Sequence, residues 1–201
     1  MEGRFIAEIW DHPRLMRARE SGDPGELQAA LDALRGEDGK IRRWGYECID
    51  HQEFHNQRTV EGEKYQIDLL TGLVSNTGIH WYLAPFSSNS TPTKLWDGDS
   101  FATSGGDATE FIGYDETTRQ ECVFVAATGD SSIVSAINTT QAILTISTGV
   151  TATIYGLGLT TSNVRQYAGG AAKLYAAERY AIPKEVLSGQ ILPLQYQVYA
   201  L

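Results

Sequence analysis

Beyond residue 78, apolar and polar positions alternate with a period of two, whereas helical spacing occurs only in short stretches before residue 75. Strict alternation is the mark of half-buried strands. The candidates are "IHWYLAPF", "TEFIGYD", "RQECVFVAA", "QAILTIS", "TATIYGLGL", "AKLYAAERY" and "ILPLQYQVYAL". In the last of these, Leu192, Leu194, Tyr196, Val198 and Ala200 fall on one face, and Pro193, Gln195, Gln197 and Tyr199 on the other. Proline cannot donate to a ladder, so Pro193 predicts a strand that begins on a sheet edge or where the chain joins the sheet. Polar, turn-rich linkers such as "SSNSTPT", "DGDS", "TSGGD" and "ATGDSS" separate the runs. Short strands punctuated in this way predict a mainly β protein, an antiparallel β-sandwich or jelly roll.

The earlier part of the chain reads differently. "DPGELQAALDALRG" carries a capping Asp23, Pro24 at the first helical position, Glu26 in the first turn and Gly36 as a stop, the signature of one short helix. Leu27, Ala30, Leu31 and Leu34 fall on one of its faces, an apolar stripe that has to be buried somewhere. "RFIAEIW" before it and "KIRRWGYECID" after it alternate as strands do. "TVEGEKYQIDLLTGL" predicts a second short helix ending at Gly72, in spite of Gly62 within it.

Composition narrows the function classes. The 201 residues are 42% hydrophobic and 20% charged, within the range of an ordinary folded protein. A net charge of -9 argues against a nucleic-acid partner, which requires clustered Lys and Arg to displace counterions. Arg14, Arg17 and Arg19, and then Lys40, Arg42 and Arg43, form only small basic groups flanked by acids. No apolar run approaches the ~18 residues that span a bilayer, and the first residues lack the order of a secretory signal. No membrane partner is therefore expected. Cys48 and Cys122 are too far apart in sequence for a CxxC motif, and both are expected to be buried thiols.

The densest chemistry is "YDETTRQEC", Tyr114 to Cys122. A glycosidase needs two carboxylates flanking a bond. Asp115 and Glu116 are adjacent on a strand and point apart, which leaves Asp115 with Glu110 or Glu121 as the geometrically possible pairs. The competing reading is a turn, in which Asp115 bonds backbone amides and Arg119 pairs across with Asp115 or Glu116. His51 and His55 have the spacing of a helical metal pair, but on a strand they would lie ~13 Å apart. No nucleophile elbow or P-loop spacing is present. Gly156 and Gly158, inside a strand, are expected to let a neighbouring chain or aromatic ring approach the backbone. No enzyme activity, metal or cofactor is expected from these motifs.

The order of the C-terminal motifs adds a resemblance. "IHWYLAPFSSNSTPT", "ATEFIGYDETTRQECVF", "TATIYGLGLTTSN" and "AAKLYAAERYAIPKEVLSGQILPLQYQVYAL" follow one another as in a group of small virion proteins of tailed bacteriophages. Trp81, Tyr82, Thr91, Pro92, Thr93, Glu110, Tyr114, Asp115, Glu116, Thr118, Arg119, Ile154, Tyr155 and Gly156 carry it. Upstream, "EFHNQRTVEGEKYQIDLL" is similar to the same group, with Asn56 and Gly62 in place. The chain departs at "SGQILPLQYQVYAL", where the group has a Gly-Asp turn. The resemblance covers roughly residues 50–201. It implies two regions, an N-terminal arm or insertion over 1–50 with one amphipathic helix and a jelly-roll-like sandwich over 51–201.

The role that the resemblance implies is that of a capsid decoration or cement protein. Such a protein sits on the virion exterior, binds the major capsid protein and often works as a homotrimer. Asp115, Glu116 and Arg119 would then hold a hairpin and meet a neighbouring subunit. Arg14, Arg17 and Arg19 with the Leu27, Leu31 and Leu34 stripe would reach a partner, or else pack on the chain's own sandwich. Two rival readings stay open. One is a tail- or head-fibre module that holds host glycans through Trp96. The other is a carbohydrate-active hydrolase that uses Glu110 and Asp115.

Overall fold

The computed structural model describes residues 2–35, 45–55, 57–75, 79–103, 105–124, 128–129, 134–137, 141–167 and 170–200. The elements follow as β1 (Glu2–Asp11), α1 (Pro13–Ser21), α2 (Pro24–Leu34), β2 (Glu47–His55), β3 (Gln57–Arg58), α3 (Val60–Leu70) and β4 (Tyr82–Phe86). After them come β5 (Gln120–Glu121), β6 (Thr128–Gly129), β7 (Val134–Ile137), β8 (Ala142–Thr145), β9 (Thr151–Thr160), β10 (Leu174–Leu187) and β11 (Ile191–Ala200).

The strands form two antiparallel sheets. One is ordered β2-β1-β11-β7-β6, with β8 also paired to β11, and the other β3-β10-β9-β4-β5. Their facing sides share one core. Ala7, Ile9, Leu144, Leu192, Leu194 and Tyr196 come from the first sheet, and Leu83, Leu157, Leu159, Ala176 and Val186 from the second. Two sheets closing on a common apolar layer give a mainly β protein with the layering of a sandwich. On the even-numbered face of β11, Leu192, Leu194 and Tyr196 are buried as the alternation predicts, all at 0% exposure.

The placement of β11 differs from the expectation drawn from Pro193. This strand is interior, flanked by β1 on one side and by β8 and β7 on the other. The ladder accommodates the proline on the β1 side, where pairing passes from Ala7↔Leu194 to Trp10↔Ile191 without a pair between them. On the β8 side, Pro193 sits opposite Ile143.

Each sheet also has a covered outer face. Over the first sheet, Leu15, Leu31, Tyr46 and Ile191 form a cluster against which Trp10, Leu27, Ala30, Leu34 and Ile143 pack. The apolar stripe of α2 therefore rests on the chain's own sheet. Helix α1 is an addition to the expected elements. Pro13 opens it, the His12 imidazole accepts a hydrogen bond from the Arg14 amide, and Gly22 closes it at φ 69°. The expected boundary at residue 50 falls inside β2, which pairs along β1, and β1 in turn pairs with β11.

Over the second sheet, Trp96, Phe101 and Ala108 from the segment after β4 cover Ala84, Phe86, Leu174 and Ala177. The glycines of β9 make room for these rings. A Cβ on Gly156 would lie 2.4 Å from the Phe86 ring, and one on Gly158 would lie 2.7 Å from the Phe101 ring. This is the close approach that two glycines inside a strand predict.

The runs "TEFIGYD" and "RQECVFVAA" form much less strand than their alternation predicts. Among the described residues they contribute β5 and isolated bridges, Glu110 with Phe86 and Tyr114 with Ile146. Side chains take the place of a ladder partner here. The Thr145 amide donates to the Glu116 carboxylate at 3.0 Å, and Arg119 reaches the carbonyl of Ser162 at 3.0 Å.

Candidate functional site

The acidic motif resolves into internal ties. Arg119 does not pair with Asp115 or Glu116 as a surface bridge. Its Nε donates to Glu110 Oε1 at 2.7 Å and its Nη2 to Glu110 Oε2 at 2.9 Å. Both side chains are wholly buried. A buried guanidinium needs a partner for each donor it exposes to the interior, and the planar fork of Arg matches a carboxylate in this way. Glu116 is occupied as well, by the amide and hydroxyl of Thr145. Asp115 is half-buried and lends its amide to the Thr145 carbonyl at 2.9 Å. Tyr114 lies beside the pair. Burial and then the Glu110 charge push its hydroxyl pKa up, while Arg165, stacked 5.1 Å over the ring, opposes them.

The same pair organises the loop after β9. Arg119 donates from its amide to the Asn163 carbonyl at 2.9 Å and from Nη1 to the Ser162 carbonyl at 3.0 Å. Glu110 Oε2 accepts from the amide of Gln166. Gln166 has a φ of 52°, a left-handed conformation that costs a non-glycine residue ~1–2 kcal/mol. The motif read as a possible catalytic pair thus fixes a neighbouring loop.

That loop forms one wall of an open cleft of ≈ 310 Å³, lined by Thr161, Ser162, Asn163 and Tyr167, with Ala171 and Ala172 beside them and His80 and Tyr82 opposite. The entry into β4 places His80 and Tyr82 with their rings 6.4 Å apart and 30° from parallel. Glu121 of β5 holds His80 Nδ1 at 2.6 Å. Burial, and secondarily Glu121, raise the pKa of the Tyr82 hydroxyl. The Thr161 hydroxyl accepts from the Lys173 amide at 2.9 Å. No sequence motif marks the cleft residues as a site, since "YAGGAAK" lacks the P-loop spacing and "GLGLTTSN" is equally weak as a phosphate cradle. "TTSN" reads as an ordinary polar linker, and its shape is held by bonds from distant parts of the chain, those of Arg119 and Glu110 together with the backbone and side-chain bonds between Thr161 and Lys173.

The remaining candidates lie apart from this cleft. Arg14 and Arg17 are exposed on α1, and Arg17 Nε bonds back to the Pro13 carbonyl at 3.3 Å. Arg19 turns inward, to the buried Asp11 carboxylate and to the Ser188 carbonyl. Leu31 is 2% exposed, and Leu27 and Leu34 pack against the same cluster.

Trp96 is not a surface platform for a glycan, being only 4% exposed. Its ring centroid lies 5.7 Å from Phe86 and 5.9 Å from Phe101. The small residues on the outer face of the second sheet leave a recess that this large ring fills. Cys122 is buried as expected, but Cys48 is exposed. The side chains of His51 and His55 lie outside the described residues, and no group of metal-ligating residues occurs among the described ones.

No helix among the described residues is long and apolar enough to cross a membrane. No protein-family model and no curated protein matches the chain.

Proposed function

We propose that the protein is a structural component of a tailed-bacteriophage particle, a decoration or cement protein that binds the outside of the head shell. In this reading its two sheets form a jelly-roll-like sandwich, it acts as a homotrimer, and the major capsid protein is its partner. The ordered series of C-terminal motifs gives the reading its starting point.

The observation that carries it is the internal use of the acidic motif. Glu110 gives both oxygens to Arg119, and Glu116 binds Thr145. Carboxylates committed in this way brace a scaffold and are poorly placed to exchange protons with a substrate. The net charge of -9 suits a particle exterior, where no genome has to be met. Exposed apolar side chains on and after α3, Ile67, Leu70 and Leu73, and Leu95 nearby in sequence to the α3 anchor at Lys94, supply surface of the kind a shell contact buries.

Copy number tests the proposal. Quantitative mass spectrometry of purified particles of the encoding phage should find the chain in hundreds of copies, in fixed ratio to the major shell protein. A dozen copies or fewer would move it to a tail or fibre, and absence from the particle would overturn the reading.

A further inference from the structure

The cleft between β4 and the loop after β9 combines three properties: it is fixed in shape, it carries no net charge of its own, and it presents both aromatic faces and polar groups. Its fixed shape comes from behind. The fully buried Arg119–Glu110 pair holds Ser162, Asn163 and Gln166 by their backbones. Arg165 Nη1 ties the same loop to the Ile112 carbonyl at 3.2 Å. Holding each irregular residue in one conformation costs ~1–2 kcal/mol of backbone entropy, and a wall ordered in advance removes that cost from a later binding step.

The lining then selects among ligand classes. Among the described lining residues His80 is the only ionisable group apart from the two tyrosines, and Glu121 already faces it at 2.6 Å. Among the described residues no Lys or Arg lines the cleft, and the chain carries a net charge of -9, so phosphates and acidic sugars meet no cation from them. A wholly apolar ligand is disfavoured too. It would strip water from the Asn163 amide and from the Tyr82 and Tyr167 hydroxyls, which have no hydrogen-bond partner among the described residues, and offer nothing in return. A ligand with C–H faces and hydroxyl edges satisfies both constraints. The tyrosine rings meet its faces, and the amide and hydroxyls meet its edges. The volume of ≈ 310 Å³ lies at the small end of ligand sites, which start at ~300 Å³.

We infer that this cleft binds an uncharged saccharide of one or two rings, with Tyr82 and Tyr167 as its faces and Asn163 as its polar anchor. The inference stands apart from the shell-binding reading, since the isolated chain is what binds. It also gives a glycan contact a location other than Trp96.

Saturation-transfer NMR on the full chain tests it, with methyl glucoside, methyl galactoside, N-acetylglucosamine and their β-linked disaccharides at millimolar concentration. The expected result is transfer to at least one of these probes, with a Kd on the order of 1 mM, as an open site allows. Asn163→Ala and Tyr167→Ala should each weaken binding about tenfold, corresponding to ~1.4 kcal/mol. Tyr167→Phe, which keeps the ring and loses only the hydroxyl, should weaken binding less than Tyr167→Ala. Asn163 is exposed on a loop, so its variant should melt at the wild-type temperature and keep the test valid even where Tyr167→Ala fails to fold. Transfer to none of the probes would overturn the inference. So would tighter binding of sialyllactose than of the neutral sugars, or affinity left unchanged in Asn163→Ala.

Discussion

The guanidinium of Arg119 meets the carboxylate of Glu110 in two parallel hydrogen bonds, at 2.7 and 2.9 Å, with neither side chain exposed to solvent. Charges taken out of water in this way contribute little net stability as a pair, yet removing one partner leaves the other buried and uncompensated. Arg119→Met and Glu110→Gln should therefore each cost ~3–5 kcal/mol, read as a fall in the urea midpoint. The double variant Arg119→Met with Glu110→Gln should lose far less than the sum of the two. An additive result would mean that the two groups do not depend on one another.

Gly62 gives a prediction of opposite sign to its helix propensity. In an exposed helix, Gly→Ala stabilises by ~1 kcal/mol. Gly62 lies in α3 where a Cβ would come within 2.0 Å of the Tyr175 carbonyl oxygen on β10. Its amide donates to the hydroxyl of Thr59, the cap of the helix, at 2.9 Å. Gly62→Ala must push α3 off the sheet or distort β10, and should destabilise by ~1–3 kcal/mol. Thermal or urea unfolding of the purified variant checks the sign directly, and a gain in stability would show that α3 is free to shift.

Local patterns that settle their own burial were legible in the sequence. The alternation of Leu192, Leu194 and Tyr196 was enough to place them in the core, and Asp23 and Pro24 were enough to start α2. Gly156 and Gly158 announced a close approach, though not which rings would make it. What was not legible depended on partners distant in sequence. Arg119 was expected to find a carboxylate within its own turn, but it found Glu110, nine residues earlier and buried with it. The alternation of "TEFIGYD" and "RQECVFVAA" promised ladders, but among the described residues the carboxylate of Glu116 and the guanidinium of Arg119 satisfied the neighbouring backbone instead. Pro193 has the local character of an edge residue, and only the skipped pairing with β1 lets it sit inside a sheet. The cleft was invisible for the same reason, since its wall is shaped by a pair that lies more than forty residues upstream.

The two thiols should behave very differently. Cys48 is exposed, whereas Cys122 is 2% exposed, and its pKa is pushed up from 9.0 to about 12 by burial and then by Glu121. A thiol reagent at mildly alkaline pH should modify Cys48 rapidly and reach Cys122 only as fast as the chain unfolds. Two fast equivalents in the native protein would contradict the packing around Cys122.

Alkaline stability follows from the same burial. The folded pKa of Cys122 lies above its unfolded value, so the neutral thiol is favoured in the fold. Its contribution to stability is complete below about 9 and is lost as the pH rises towards about 12. Burial pushes the hydroxyls of Tyr46, Tyr114 and Tyr180 in the same direction. Their contributions are full below the ordinary tyrosine value of 10.0 and decline above it. The urea midpoint should fall as pH rises through this range. Cys122→Ala should remove the thiol's part of the slope while the tyrosine part remains.

Trp96 separates packing from ligand contact. Its ring stands nearly perpendicular to Phe101, at 87°, and at 70° to Phe86, in the edge-to-face geometry that aromatic clusters favour. Removing it opens a cavity over the outer face of the second sheet, and a change of this size costs ~3–5 kcal/mol. Trp96→Ala should thus lower the urea midpoint sharply, whereas Trp96→Phe, which keeps a ring in the recess, should lose much less. Saccharide binding by the folded fraction of Trp96→Phe should equal that of the wild type, because the cleft residues His80, Tyr82, Asn163 and Tyr167 are untouched. A variant of wild-type stability that no longer bound sugar would reverse the assignment and make Trp96 the contact.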